Sequence, residues 1–316
     1  MHGELSSARN AQRTILSRRH DDSPDVDGSI DSEAMEDATA ISPDSARPVS
    51  RKLHAERALL LGWGRALLLQ FAHPQVAQAI ADHSGFLREK RGRWGRLRRT
   101  LDAMLVLTYG TVDEAAAVAR GINAIHDRVH GRAASAGDRP PTAYSAHDPE
   151  LLRWVHATLV DSFIVAYQLY VAPLSPAEKN AYCAESAGIE PLFGIPDGFL
   201  PRTSDALGRY MGAMLAGPDL AVTEAARRLA GELFTPVPRV AWPLMALGRL
   251  SAIGLLPPRL RADYGFAWSP RHASALRVSA RALRVAVALA PTPLRHWPIA
   301  RIARRRATAP RPRLAR

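Results

Sequence analysis

From Leu53 onward, apolar residues recur at helical spacing over most of the chain, and the alternation that marks strands is almost absent. In the segment 53–71, Ala58, Leu61, Arg65, Leu68 and Leu69 follow a helical period, which predicts one nearly continuous helix. Pro74 interrupts it. Proline restricts the residue before it, so His73 is biased out of the helical region, and a second helix restarts at Pro74 and runs to about Asp82. The segment 96–109 reads as a buried helix that stops at Gly110. Thr111 caps the next one, with Glu114 three residues on completing a capping box, and this helix is expected to run from Val112 to about His130, before Gly131.

Residues 131–143 are a loop rich in Gly, Ala and Pro. Asp148 and Pro149 then open a long helix to about Tyr170, Ser175-Pro176 with Glu178 opens another, and Thr203 or Ser204 caps a further one. A helix over 222–233, an apolar pair around 242–255 and a last helix from Ser269-Pro270 to near Pro291 complete the pattern. No internal repeat is present. The expected fold class is all-α: one multi-helix domain over residues 52–290, with a disordered acidic tail over 1–51 and a disordered basic tail over 291–316.

Composition supports this. Hydrophobic residues make up 47% and charged residues 23% of 316, the balance of a globular chain, and Ala, Leu and Arg favour helices. The net charge of +12 would suit nucleic acid, but its distribution argues otherwise. Residues 21–44 hold nine acids and no Lys or Arg, whereas 291–316 hold eight arginines and no acid. No specific nucleic-acid partner is expected, and the basic tail suits solvation or peripheral contact with an anionic membrane. Cys183 is the only cysteine, which excludes an internal disulfide and is compatible with a reducing cytosol. The segment 240–256 is apolar but short of the about 20 residues a spanning helix needs. No export signal is evident, and a cytoplasmic location is expected.

Candidate chemistry centres on histidines and one basic cluster. Ala119, Ile122 and Val129 share a helical face with His126, so this imidazole is expected to point inward, either as a satisfied core histidine or as a ligand. His126 and His130 stand at i, i+4, a spacing for two imidazoles on one metal, but Asp127 follows where the zinc motif has glutamate, and Glu-x-x-His is absent. Arg96, Arg99 and Thr100 share one face at i, i+3 and i+4. Arginines in an apolar helix must meet water, a carboxylate or an anionic ligand. His73, His83 and Ser84 bracket the short helix after Pro74, and His156 lies in the interior of a long helix; the bland reading of each is structural. Nucleophile elbows, P-loops, dinucleotide fingerprints and zinc-type Cys/His spacings are missing from the sequence.

One ordered series of motifs changes the weighting. It comprises Gln70-Phe71-Ala72-His73-Pro74-Gln75-Val76-Ala77 with Asp82-His83-Ser84, Arg96-x-x-Arg99-Thr100, and Tyr109-Gly110-Thr111. It continues with Ile125-His126-Asp127-Arg128-Val129-His130-Gly131, Tyr144 to Pro149, Leu152 to Ala157, Pro173-Leu174-Ser175 and Leu260-Arg261 to Gly265. Together these resemble the haem-dependent oxygenases that include MpaB and the rubber-cleaving latex-clearing proteins, over residues 53–265.

The resemblance implies an all-α fold, haem b as cofactor, and an oxygenase acting with O2 on a small apolar, olefinic or isoprenoid substrate. It implies His126 as the proximal iron ligand; His73 and His156 remain cofactor-binding candidates on the reading of the residues themselves. Arg96, Arg99 and Thr100 would be the polar groups beside the haem. Rubber-cleaving members present a lysine where Arg99 stands. A permanently protonated guanidinium cannot ligate iron as an amine does, so an open or water-occupied distal side is expected here. A non-catalytic helical module binding haem or lipid is the alternative.

Overall fold

The computed structural model describes residues 47–83, 90–133, 141–234 and 242–308. Residues 1–46, 84–89 (Ser84 among them), 134–140, 235–241 and 309–316 lie outside the described residues. The chain begins with α1 (Pro48–His54), a 3-10 turn (Arg57–Leu59), α2 (Leu60–Phe71), α3 (Pro74–His83), α4 (Lys90–Tyr109) and α5 (Val112–His126). A hairpin of β1 (His130–Ala133) and β2 (Thr142–Ser145) precedes α6 (Pro149–Tyr170), α7 (Pro176–Ala187) and a 3-10 turn (Glu190–Phe193). The remainder is α8 (Ser204–Ala216), α9 (Glu224–Leu233), α10 (Trp242–Gly254), α11 (Pro258–Asp263), α12 (Pro270–Leu289), α13 (Thr292–Arg295) and α14 (Pro298–Thr308).

The all-α reading holds, with the two-stranded hairpin as the only sheet among the described residues. Several helix starts follow directly from side-chain chemistry. Thr111 accepts from the Glu114 N–H at 3.2 Å while the Glu114 carboxylate accepts from the Thr111 N–H at 2.8 Å. Ser175 and Glu178 repeat the arrangement before α7. Asp148 caps α6, Thr203 caps α8 and Ser269 caps α12.

Helix α2 is the axis of the core. It is buried on nearly every side because its sequence is apolar on nearly every side, and it packs between α6 and α10. Gly62 and Gly64 allow this approach: an added Cβ would lie 2.9 Å from the Ala166 Cβ and 2.7 Å from the Ala252 Cβ respectively. Its buried Arg65 is neutralised locally, donating to Leu255 O and Ser162 Oγ at 2.8 Å each and pairing with Asp161 at 2.6 Å. The largest fully buried side chains, Phe71 of α2, Trp154 and Tyr170 of α6 and Tyr182 of α7, belong to the core, each contributing about 2–3 kcal/mol by removal from water.

Four expectations need correction. The helix over 53–71 is broken after His54, because Glu56 is extended and forms a bridge with His296. The helix from Val112 ends at His126, and His130 and Gly131 belong to a strand. Gly131 faces Tyr144, whose hydroxyl oxygen a Cβ there would meet at 2.6 Å, so its role is close approach rather than helix termination. The segment 242–255 holds one helix, not two. The basic stretch from 291 is helical over most of its length. Arg295 donates to both oxygens of buried Glu56 at 2.7 Å, and Ala300 packs against Leu105 and Tyr109 of α4. Only residues 309–316 of that expected tail lie outside the described residues. Among the described residues, no helix is long and apolar enough to cross a membrane.

Candidate active site

Helices α4 and α5 pack against each other across the tight connection at Gly110-Thr111. Arg96 stands fourteen residues before Gly110 and His126 fifteen after Thr111. At 1.5 Å per residue both positions lie roughly 21–23 Å along their own helices from the turn. The Arg96 side chain lies outside what is described. Arg99 and Thr100 are exposed on α4.

His126 is the last residue of α5 and is half-buried. After it the chain turns sharply, with the Val129 N–H bonded to His126 O at 2.9 Å, and enters β1. The hairpin carries the chain back so that His147, just beyond β2, stands edge-on to His126 with ring centroids 5.7 Å apart. Phe193 lies on another side at 6.5 Å. Asn123, one turn before His126, donates to Leu192 O at 2.9 Å and ties the 190–193 turn to α5. That turn is itself anchored by Glu190, which is 1% exposed and accepts from the Leu200 N–H at 2.7 Å, the Gly198 N–H at 3.3 Å and Arg202.

The His126 Nδ1 is buried and has no hydrogen-bond partner. Burial lowers the pKa of this ring; neighbouring His147 lowers it further, and Asp127 partly opposes both. The ring is therefore neutral at pH 7, with an imidazole nitrogen that the protein leaves unsatisfied. Asp127 instead pairs with His147 at 2.8 Å. His130 is exposed in β1, so it no longer shares a helical face with His126. Among the described residues, no group of three or more His, Cys, Asp or Glu side chains is placed to hold a metal ion.

The other histidines sit elsewhere. His73, at the corner between α2 and α3, is 9% exposed, and its Nδ1 is also unpartnered. Burial lowers its pKa against the opposing pull of Asp219 and Asp148. His156, inside α6, bonds Ser186 O through Nε2 at 3.2 Å and leaves Nδ1 unpartnered; burial brings its pKa down to about 4. His83 contacts His130 O at 3.1 Å through Nε2 and meets the Tyr144 ring edge-on. His54 was not apparent as a special residue in the sequence. It lies between Thr108 Oγ1 at 2.7 Å and Tyr182 Oη at 2.8 Å, and burial takes it to about 4. His147 carries one signal in the sequence, its place inside the Tyr144–Pro149 motif.

A family model described as ER-bound oxygenase mpaB/B'/Rubber oxygenase, catalytic domain, matches residues 51–285. The chain belongs to this family. The match covers the helices from α1 to most of α12, and with them α4, α5 and the hairpin around His126. Membership makes the protein an oxygenase at the level of general activity, an oxidoreductase that meets O2 and an oxidisable substrate. No curated protein and no solved structure matched the chain.

Proposed function

We propose that this MpaB/rubber-oxygenase family member is a haem b-dependent oxygenase in which His126 would bind the iron, and that its substrate is apolar and olefinic or isoprenoid. The observation that carries the reading is the His126 Nδ1, a buried nitrogen without a protein partner in a ring that burial keeps neutral. An unsatisfied buried nitrogen costs about 1–3 kcal/mol, and a metal ion removes that cost. His73 and His156 share the orphaned nitrogen but are more enclosed, whereas the His126 ring is only half-buried.

When bound, haem b supplies the iron at which dioxygen is activated, chemistry the side chains here lack. The chain's own residues do the rest. His126 offers a lone pair without first losing a proton. His147 and Phe193 wall its ring and hold its orientation, with His147 itself held by Asp127. Arg99 presents a planar guanidinium that donates hydrogen bonds and offers no lone pair. Its fitting role is to hold an anionic group such as a porphyrin carboxylate, with Arg96, rather than to ligate metal. Thr100, on the same face of α4, would offer a hydroxyl donor to the bound group.

Haem titration into the purified protein, followed by oxygen uptake with an emulsified olefin such as squalene, tests this. The expected result is one haem per chain, and olefin-dependent oxygen consumption that His126→Ala abolishes. Tight haem binding with no oxygen uptake on any olefin would replace the proposal with a binding module.

A further inference from the structure

The C-terminal part of the chain carries a charge asymmetry that the oxygenase reading does not use. After Asp263 the sequence holds twelve arginines and no Lys, Asp or Glu, while the thirty basic and thirty acidic residues before that point balance. The entire net charge of +12 therefore resides in residues 264–316. Helix α12 heads this region, and it is apolar on two opposite sides. Leu276 and Ala280 are buried, and Leu283 and Val287 pack against the core on the same side. Val278, Val285 and Leu289 are 66%, 59% and 80% exposed. At 100° per residue these three fall within about 40° of one another, diametrically opposite the buried stripe. Leu294 of α13, five residues further on, is 68% exposed. Arg271, Arg277 and Arg281 are exposed on the same helix.

Scattered single apolar residues on a surface need no explanation, but a stripe of three aligned ones within an acid-free basic segment does. We propose that the outer face of α12, with Leu294, docks on an anionic lipid bilayer. Val278, Val285 and Leu289 enter the headgroup boundary, and the flanking arginines meet phosphate groups. Electrostatic attraction and apolar insertion are both supplied by one helix face, which is the chemistry of an interfacial helix lying in the plane of a membrane. Nucleic acid would use the arginines but has no use for the aligned valines and leucine. A second copy of the chain would use the apolar stripe but would oppose like charges along it. The docking proposal does not rest on the role proposed for His126.

The test is co-sedimentation of the full chain with vesicles of phosphatidylcholine alone or of phosphatidylcholine and phosphatidylglycerol in equal amounts. The expected result is binding to the anionic vesicles only, weakened by salt. Val285→Ser with Leu289→Ser, or Arg277→Gln with Arg281→Gln, should each weaken it about tenfold. Thermal melting checks that the variants fold, and Leu289→Ser alone, at the most exposed of the positions, serves if the double substitution does not. Unchanged binding by the serine variant, equal binding to neutral vesicles, or a dimer in solution that the serine substitutions dissociate would each overturn the proposal. So would duplex RNA binding insensitive to those serines in the absence of vesicle binding.

Discussion

Two Gly→Ala substitutions on two helices should have opposite effects, and the structure gives both signs. In a helix interior, Gly→Ala gains about 1 kcal/mol from reduced freedom of the unfolded chain. Gly121 lies on the exposed side of α5, where an added Cβ meets nothing within 4 Å, so Gly121→Ala should gain the full amount. Gly64 lies where α2 crosses α10, and its Cβ would sit 2.7 Å from the Ala252 Cβ. Carbon atoms pack at about 3.5–4.0 Å, so the two helices must separate by roughly 1 Å. Both carbons are fixed to helix backbone, leaving no rotamer to absorb the overlap. Overpacking of this kind costs about 3 kcal/mol, which leaves a net loss of roughly 2 after the propensity gain. At about 2–4 °C per kcal/mol for a chain of this size, the melting temperature should rise by about 2–4 °C for Gly121→Ala and fall by about 4–8 °C for Gly64→Ala. Adding Ala252→Gly to Gly64→Ala should recover much of the loss, because it removes the clashing partner. Equal melting temperatures for the two alanine variants, or no recovery in the double variant, would refute the α2–α10 packing described above.

Arg295→Ala should leave the Glu56 carboxylate buried with only His296 beside it, costing about 2–4 kcal/mol in urea titrations, whereas Glu56→Gln with Arg295→Leu should cost less than Arg295→Ala alone. His54 and His156 have folded pKa values depressed to about 4 from an ordinary 6.5, so the unfolded chain takes up protons that the folded chain refuses. Their effect is absent above pH 6.5, and stability should fall progressively as pH drops from there towards 4. In His156→Gln, the melting temperature measured across that window should decline less steeply. Glu190→Ala should unsatisfy the Leu200 and Gly198 N–H groups and destabilise by about 2–4 kcal/mol, with amide exchange rising first in the 190–202 turn beside His126.

The helix starts were legible because each rests on residues three or fewer apart. Thr111 with Glu114, Ser175 with Glu178 and Asp148 with Pro149 carry their own cap chemistry in the sequence. The hairpin was not legible. Its strands, His-Gly-Arg-Ala and Thr-Ala-Tyr-Ser, are four residues each with one buried residue apiece, so no alternating apolar pattern exists to be read. Gly131 then looked like a helix stop, although its real constraint is the Tyr144 ring across the strand pair. The docking of 292–308 was hidden for a different reason. Its anchor, Glu56, lies 239 residues from Arg295, and nothing local distinguishes a buried carboxylate from a solvated one. The site was partly legible. The inward placement of His126 was foreseeable from helical spacing, whereas His147 and Phe193 reach it through the hairpin and the 190–193 turn.

The central claim is that His126 coordinates iron, and removing its imidazole while leaving room for a free one tests it most directly. Haem-loaded His126→Gly should lose the wild-type Soret position and regain it on titration with imidazole, while haem-loaded His73→Gly and His156→Gly keep the wild-type spectrum throughout. A wild-type spectrum in His126→Gly before any imidazole is added would contradict the account and move the ligand to another residue.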